Sequence, residues 1–368
     1  MWIVFKYKKR EFSLLKQDFR KILGDLPLIF RPKFKYQKLV KNKLQFLEKG
    51  KSTTDSTKIL MYVFGGDDGT AYGAGKDSIG MLWSPAVRIH KPPYGALAHE
   101  LGHSFQYLTG ADGHFGFKNG GSIWEMTSQW MLWQVYPNWI EFENYHLQAF
   151  LDNTYRAFLH EENMYHSPFV LEYWSNKHGK TFIGELWRNS KKGEDPVLTY
   201  QRLTNIDQKT FNDEIFDAYR RFLTWDMPRI EEVSSKYANI HHTKLDEIED
   251  DWFRISVKEA PQNYGYNAIS LEVPTSGSSS SRVNWDASLS SYLVWLEIPE
   301  PVTGGCGRVC GGLSGAMLPG ESTPCSPHVT CLASMRDSDS TRRQLYRCGL
   351  ALARLVGGRC VCCMRVCG

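Results

Sequence analysis

The sequence predicts an α+β fold of more than one domain. Two short strand-like runs, 58–64 and 79–85, come first. Apolar residues then recur at helical spacing from about residue 95 to residue 230, and strand-like runs return after Asp250, separated by proline, glycine and a serine run at 278–281. With 368 residues, 42% of them hydrophobic and 13% aromatic, the chain can bury a sizeable core, which excludes an intrinsically disordered protein.

Residues 1–34 read as an N-terminal helical extension. The stretch 12–50 is basic and mainly helical, including Phe34-Lys-Tyr-Gln-Lys-Leu-Val-Lys-Asn-Lys-Leu-Gln-Phe-Leu47. Lysines on such a helix are better explained as a solvated face than as a nucleic-acid surface. The apolar run of Met1-Trp-Ile-Val-Phe is too short for a secretory signal, and no segment approaches the ~18 apolar residues of a membrane span. Next come Lys58-Ile-Leu-Met-Tyr-Val-Phe64 and Ile79-Gly-Met-Leu-Trp-Ser-Pro85, read as strands either side of a turn-rich stretch from Gly65 to Ser78.

The first helix that carries chemistry is Gly95-Ala-Leu-Ala-His-Glu-Leu-Gly-His-Ser-Phe-Gln-Tyr107. Residues four apart on a helix share a face, so His99 and His103 can offer imidazoles to one metal ion, with Glu100 one step round beside the open position. Leu97, Ala98, Leu101, Phe105 and Leu108 fall on the opposite side, and Gly102 leaves room behind the histidines. A catalytic zinc site takes a third protein ligand. The pattern HExxHxxGxxH is excluded, because Gln106 and Thr109 stand where its glycine and last histidine belong. A glutamate from a second helix is the other arrangement, and Gly120-Gly-Ser-Ile-Trp-Glu125-Met-Thr-Ser-Gln-Trp-Met-Leu-Trp133 supplies one, with Ser122 as its expected N-cap. The glycine-rich loop between them can reverse the chain, and a carboxylate among Ile123, Trp124, Met126, Trp130, Met131 and Trp133 is costly unless a cation partners it. Asp112 is the rival ligand. Gln129, one turn after Glu125, is the candidate acceptor for the second N–H of a histidine ligand.

His99-Glu-Leu-Gly-His103 followed by Glu125 resembles the gluzincin clan of zinc metallopeptidases. The longer string ending at Gln106, with Trp124-Glu125 and Trp130, is similar to an uncharacterised group of that clan known only as a domain of unknown function. Further similarity runs through Tyr165-His-Ser-Pro-Phe169, Trp225-Asp226 and Tyr264-Gly-Tyr-Asn267, covering about residues 35 to 295. The enhancin-like mucin-degrading group shares related helices, but Met126-Thr-Ser-Gln129 departs from it. The resemblance implies a zincin-like metallopeptidase core at 35–245 with a mainly helical lower half, one Zn2+ held by His99, His103 and Glu125, and Glu100 as general base. It also implies a polypeptide or glycoprotein substrate, bound along an edge strand beside the metal helix, and an extracellular setting. Candidates for the oxyanion donor are Tyr155, His160, Tyr165 and His166.

A partial, β-sandwich-like module is expected at 250–300. The segment 306–368 is of another kind: it holds all nine cysteines and eight arginines but no lysine, phenylalanine or tryptophan. Its eight arginines against three carboxylates give it +5, so of the chain's net +4 the body carries −1, and the basicity argues for no anionic partner. Two readings stand, a cysteine-rich module and, favoured by the abrupt shift in residue usage, a non-native or disordered tail translated out of frame. The rival functional reading is a non-catalytic zinc-containing protein whose β module, with Trp285 and Trp295, docks glycan or a cell surface.

Overall fold

The computed structural model describes residues 39–48, 50–65, 69–89, 92–118, 120–249 and 252–272, and beyond these only the backbone of strand segments. Within the expected helical extension at 1–34 the described backbone is instead an antiparallel hairpin, Ile3–Tyr7 paired with Arg10–Leu14. Within the tail at 306–368 it forms strands, His328–Met335 pairing with Ser291–Val294 and with Tyr266–Glu272, and Gly349–Val356 pairing with Arg359–Val366. The rest of these segments and of Tyr292–Ile298, and the side chains of Trp285 and Trp295, lie outside the described residues. The fold is α+β. Contacts divide the chain into two compact units, one of residues 1–150 and 159–207, the other of 151–158 and 208–368.

The first unit carries a three-stranded sheet of β1 (Leu60–Phe64), β2 (Tyr72–Lys76) and β3 (Ile79–Pro85). The spatial order is β1-β3-β2, with β3 parallel to β1 (Leu60 opposite Met81) and antiparallel to β2 (Tyr72 opposite Trp83). Every second residue of β3 is buried, as the two-residue strand period requires, and Leu82 joins Met61, Ile89, Tyr94 and Leu97 in a core cluster. Leu97 comes from α1 (Gly95–Ala111), the helix on which the sheet rests.

That contact explains a strand absent from the sequence expectation. Gly73-Ala-Gly75 has little strand propensity, and residues 65–78 read only as turn. Gly73 and Gly75 share one face of β2, and it is the face laid on α1. A Cβ on Gly73 would stand 1.7 Å from the carbonyl oxygen of Glu100, and one on Gly75 would stand 1.9 Å from the Tyr107 ring. Only glycines let the strand come this close. Ser104 fastens the other strand, its Oγ donating to the Met81 carbonyl at 2.7 Å.

Helix α2 (Ser122–Val135) runs antiparallel to α1, since Gln106 meets Trp124 while His99 meets Gln129. Ser122 is its first helical residue and not its cap. Gly121, at φ 88°, occupies the N-cap and turns the chain into the helix without a side-chain bond. Behind α2 lie α3 (Asn144–Asp152), α4 (Phe169–His178), α5 (Phe182–Asn189) and α6 (Pro196–Thr204). Trp130, Trp133, Trp174 and Trp187 are fully buried among them, and the buried Glu172 accepts from Trp130 Nε1 at 2.8 Å and from Gln134 at 2.9 Å. The expected helix at 34–47 is, in its described part, a single π-helical turn, Leu39–Lys43, followed by irregular chain. Leu44, Phe46 and Leu47 are all buried there, and a Cβ on Gly184 would come within 2.4 Å of the Leu44 carbonyl. Packing against α5 overrides the helical pattern.

In the second unit, α7 (Gln208–Thr224) buries Phe211, Ile215, Ala218, Tyr219 and Phe222 at helical spacing. Strands β4 (Leu245–Glu249) and β5 (Trp252–Ile255) pair antiparallel, and β6 (Tyr266–Glu272) follows. Tyr219 stacks on Tyr266 at 4.3 Å, and the hydroxyl of Tyr266 bonds His241 Nε2 at 2.8 Å. Residues 151–158 belong to this unit because Tyr155 O accepts from Gln262 N at 2.7 Å and Thr154 O accepts from Tyr266 N at 2.8 Å.

Two stability predictions follow from these contacts. Gly73→Ala puts a methyl group into a backbone carbonyl that cannot move without the helix, and should cost about 2 kcal/mol or more. Ala74→Ser, on the other face, should cost little; thermal unfolding of both variants checks this. Burial, and secondarily His242, depresses the His241 pKa to about 3 from an ordinary 6.5. Below pH 6.5 the unfolded chain takes up a proton that the folded chain refuses. Stability therefore falls as pH drops from about 6.5 towards 3, by up to about 1.4 kcal/mol per pH unit. His241→Gln should make that slope shallower in denaturant titrations between pH 7 and 4, leaving the share of His146, which burial depresses in the same way.

Candidate metal centre

His99 and His103 project from one face of α1, and Glu125 from the first turn of α2 opposite them. His99 Nε2 lies 2.9 Å from Glu125 Oε2, His103 Nε2 lies 3.0 Å from the same oxygen, and the two Nε2 atoms are 3.1 Å apart. Both histidines are buried, and no other group of three such side chains among the described residues converges in this way.

The protonation of this triangle can be read from its supports. Gln106 Nε2 donates to the Trp124 carbonyl at 2.7 Å, and Gln129 Nε2 donates to the Tyr165 carbonyl at 3.1 Å. A carbonyl only accepts, so both amides must turn their oxygens the other way. Gln106 Oε1 meets His103 Nδ1 at 2.7 Å, and Gln129 Oε1 meets His99 Nδ1 at 2.8 Å. Each Nδ1 is therefore the donor, and each neutral ring presents a bare Nε2 lone pair to the carboxylate. Three acceptors thus converge with no donor between them, and something positive has to sit there.

A proton is one answer. Burial works against charge on His103, but the Glu125 carboxylate outweighs it and raises the imidazole's pKa. Burial likewise pushes Glu125 up, and the bonds from His103 and His99 hold it well below the usual carboxylate range. A metal cation is the other answer, and the donor set suits one. Two imidazole nitrogens and a carboxylate oxygen are the ligands of catalytic zinc, whose tetrahedral shell at about 2.0–2.1 Å spaces its donors by about 3.3 Å. The triangle would open by only a few tenths of an ångström.

The three ligand atoms lie on the wall of a cavity of about 670 Å³ that also takes in Glu100, Tyr165 and Glu143. Burial raises the pKa of Glu100, against the pull of His99, His103 and a hydrogen bond from the Gly73 backbone N–H. Burial and the carboxylates of Glu125 and Glu100 push Tyr165 up to about 12, so its hydroxyl keeps its proton and bonds Glu125. Its ring centroid is 5.7 Å from that of His99, and Trp124 stacks on His103 at 6.4 Å.

Of the four sequence candidates for an oxyanion donor, Tyr165 alone lines this cavity. His160 caps the turn Glu161–Asn163, His166 bonds His146 through their Nδ1 atoms at 2.7 Å, and Tyr155 is held in the second unit. Asp112 is away from the triad, at the C-cap of α1, where its Oδ1 accepts from Thr53 N at 2.9 Å. Gln129 takes the supporting position expected of it. Gln106 entered the sequence reading as a mismatch to one motif and as the end of the resembling string, with no role of its own, although a glutamine three residues after a ligand histidine on one helix face is itself a signal. His146 and Glu143 had none, because only the fold brings α3 to the cavity.

Fold and site together define an α+β protein with a preformed His-His-Glu cluster able to hold a metal ion. By sequence the chain belongs to a family of unknown function (DUF6055), whose model matches residues 33–286. No curated protein and no solved structure matches it.

The chain should bind one zinc ion, with Gln129→Leu weakening the affinity about 10–100-fold while the fold survives. Chelator competition measures this, and an affinity unchanged in Gln129→Leu would remove the amide's role.

Proposed function

We propose that this chain is a zinc-dependent metallopeptidase of the gluzincin type, with a zincin-like core, acting on polypeptide or glycoprotein substrates. The reading is carried by one observation, the convergence of the lone pairs of His99, His103 and Glu125 on a single point at the wall of an open cavity. Three protein donors with a fourth side facing a cavity are the mark of a catalytic site, since structural zinc sites close with four protein ligands. When bound, zinc supplies Lewis acidity, polarising a carbonyl and bringing the pKa of a water to about 7.

The chain's own groups supply the rest. Glu100, its pKa raised by burial, accepts a proton from the attacking water as the water oxygen bonds the scissile carbonyl carbon. It returns that proton to the nitrogen as the C–N bond breaks. Tyr165, protonated throughout the neutral range, is the donor for the oxygen that gains charge, turning its one hydroxyl hydrogen from Glu125 to that oxygen. Exposed β2, an edge of the sheet beside α1, offers backbone groups to an extended substrate. An extracellular substrate rests on the resemblance alone. Among the described residues, no helix is long and apolar enough to cross a membrane.

Glu100→Gln should keep zinc and lose about 10²–10⁴-fold in kcat, and Tyr165→Phe should lose about 10²–10³-fold in kcat with KM little changed. The assay is a broad panel of peptides and glycoproteins with zinc content measured in parallel. Zinc-loaded wild type that cleaves nothing in the panel, or Glu100→Gln that cleaves as well as wild type, would overturn the reading.

A further inference from the structure

Glu143 is the one carboxylate of the cavity that the mechanism above leaves unused. Its place is fixed from one side, where Trp139 Nε1 donates to Oε2 at 2.7 Å. The other oxygen, Oε1, lies over the first turn of α1, 2.4 Å from where a Cβ on Gly95 would stand. Gly95 is four residues before His99 on the same row of the helix, so the carboxylate sits one turn from the metal triad along the same wall. A glycine in a helix costs up to about 1 kcal/mol against alanine. Here the missing methyl is the space that the carboxylate occupies.

Burial pushes the pKa of Glu143 up, and the one guanidinium lining the same cavity among the described residues, Arg88, donates to the Gly69 carbonyl and acts on Glu143 only through space. No lysine or arginine among the described residues reaches ion-pair distance of Glu143, and the nearest basic group, His146 Nε2 at 3.8 Å, is held neutral by burial and by its neighbour His166. That Nε2 is already the acceptor for Gln129 Nε2 at 3.0 Å. Tyr145, the residue two further along α3, lines the same cavity with 61% of its surface exposed, and a phenol ring beside a carboxylate suits an organic cation.

We propose that Glu143 forms a subsite for a positively charged substrate group, an ammonium or a guanidinium, one helical turn from the metal triad. The existence of this cation site is independent of the reaction; its place along a peptide rests on the peptidase reading. One turn of helix corresponds to a side chain's reach, or to one or two residues of extended chain. The charged group is then a lysine or arginine side chain flanking the scissile bond or a free N-terminal amine.

Two measurements test it. The indole N–H of Trp139 donates to Glu143 and reports on it, assigned by comparison with Trp139→Phe. Titrating n-butylammonium into zinc-loaded protein should move that resonance saturably, while n-butanol should not. Glu143→Gln, which removes the charge, and Gly95→Ala, which keeps it but displaces the carboxylate, should each weaken the response about tenfold. Hydrolysis is then compared within two pairs of peptides: N-acetylated ones with lysine or norleucine beside the bond, and ones with a free or acetylated N-terminus. One pair should show a preference of about tenfold or more for the cation, collapsing towards unity in both variants, and the pair that responds names the source. An indole resonance indifferent to ammonium, or a preference untouched in both variants, overturns the subsite, as does a loss of thermal stability in both with discrimination intact. An ammonium-specific shift without hydrolysis of any peptide supports the subsite and sinks the peptidase reading instead.

Discussion

Three lone pairs aimed at one point, needing a proton or a metal cation between them, is the constraint that organises this protein's first unit. The arrangement is forced from outside by two amides, each pinned by a main-chain carbonyl that can only accept. Buried acceptors left unmet cost about 1–3 kcal/mol apiece, more when one is charged. An arrangement of that cost persists only where a proton or a metal cation repays it. The supports belong to the same two helices as the donors, so a shift of α1 against α2 would loosen donors and supports together. The hydroxyl of Ser128, bonded to the carbonyl of His99, ties the two helices at that level.

The small sheet has its place in this because it fixes α1 from the other side. Gly73 acts twice. Its bare Cα clears the Glu100 carbonyl, and its N–H reaches the Glu100 side chain. The carboxylate beside the triad is therefore positioned by the strand and not by the helix alone. That is a physical reason for a glycine pattern in β2 that strand propensity disfavours.

What the sequence disclosed follows the range over which each signal acts. His99 and His103 were legible because four-residue spacing on a helix is geometry. Gln129 was legible for the same reason, one turn from Glu125. Glu125 itself needed a longer argument, that a carboxylate among Trp124, Met126 and Trp130 lacks a partner, and the structure brings its oxygen within 3.0 Å of both imidazoles. Strand β2 escaped notice because close approach to a helix selects glycine, and glycine reads as turn. The chain around Phe46 escaped because burial against α5 outweighs a helical pattern. Glu143 and His146 were invisible for a different reason. Their relation to the triad exists only after α3 folds back, and no local pattern encodes it.

The arrangement around the opening favours the proposed catalytic centre over a structural one. A structural site gains by closing, and Tyr165 is near enough to serve as a closing group, yet its hydroxyl is committed to Glu125 and its pKa of about 12 keeps it a donor and not an anionic ligand. Glu100 stands beside the triad but outside the group whose donor atoms converge. It is buried enough for its pKa to rise, a burden that a purely structural site would have no reason to carry. The cavity wall thus sets one basic group and one proton donor beside three converging acceptors. Water activation requires the base where a water would lose its proton and the donor where an oxygen would gain charge. Glu100 is already held by Gly73, while Tyr165, whose single hydroxyl hydrogen goes to Glu125, has to turn from that carboxylate to the substrate oxygen as charge develops there.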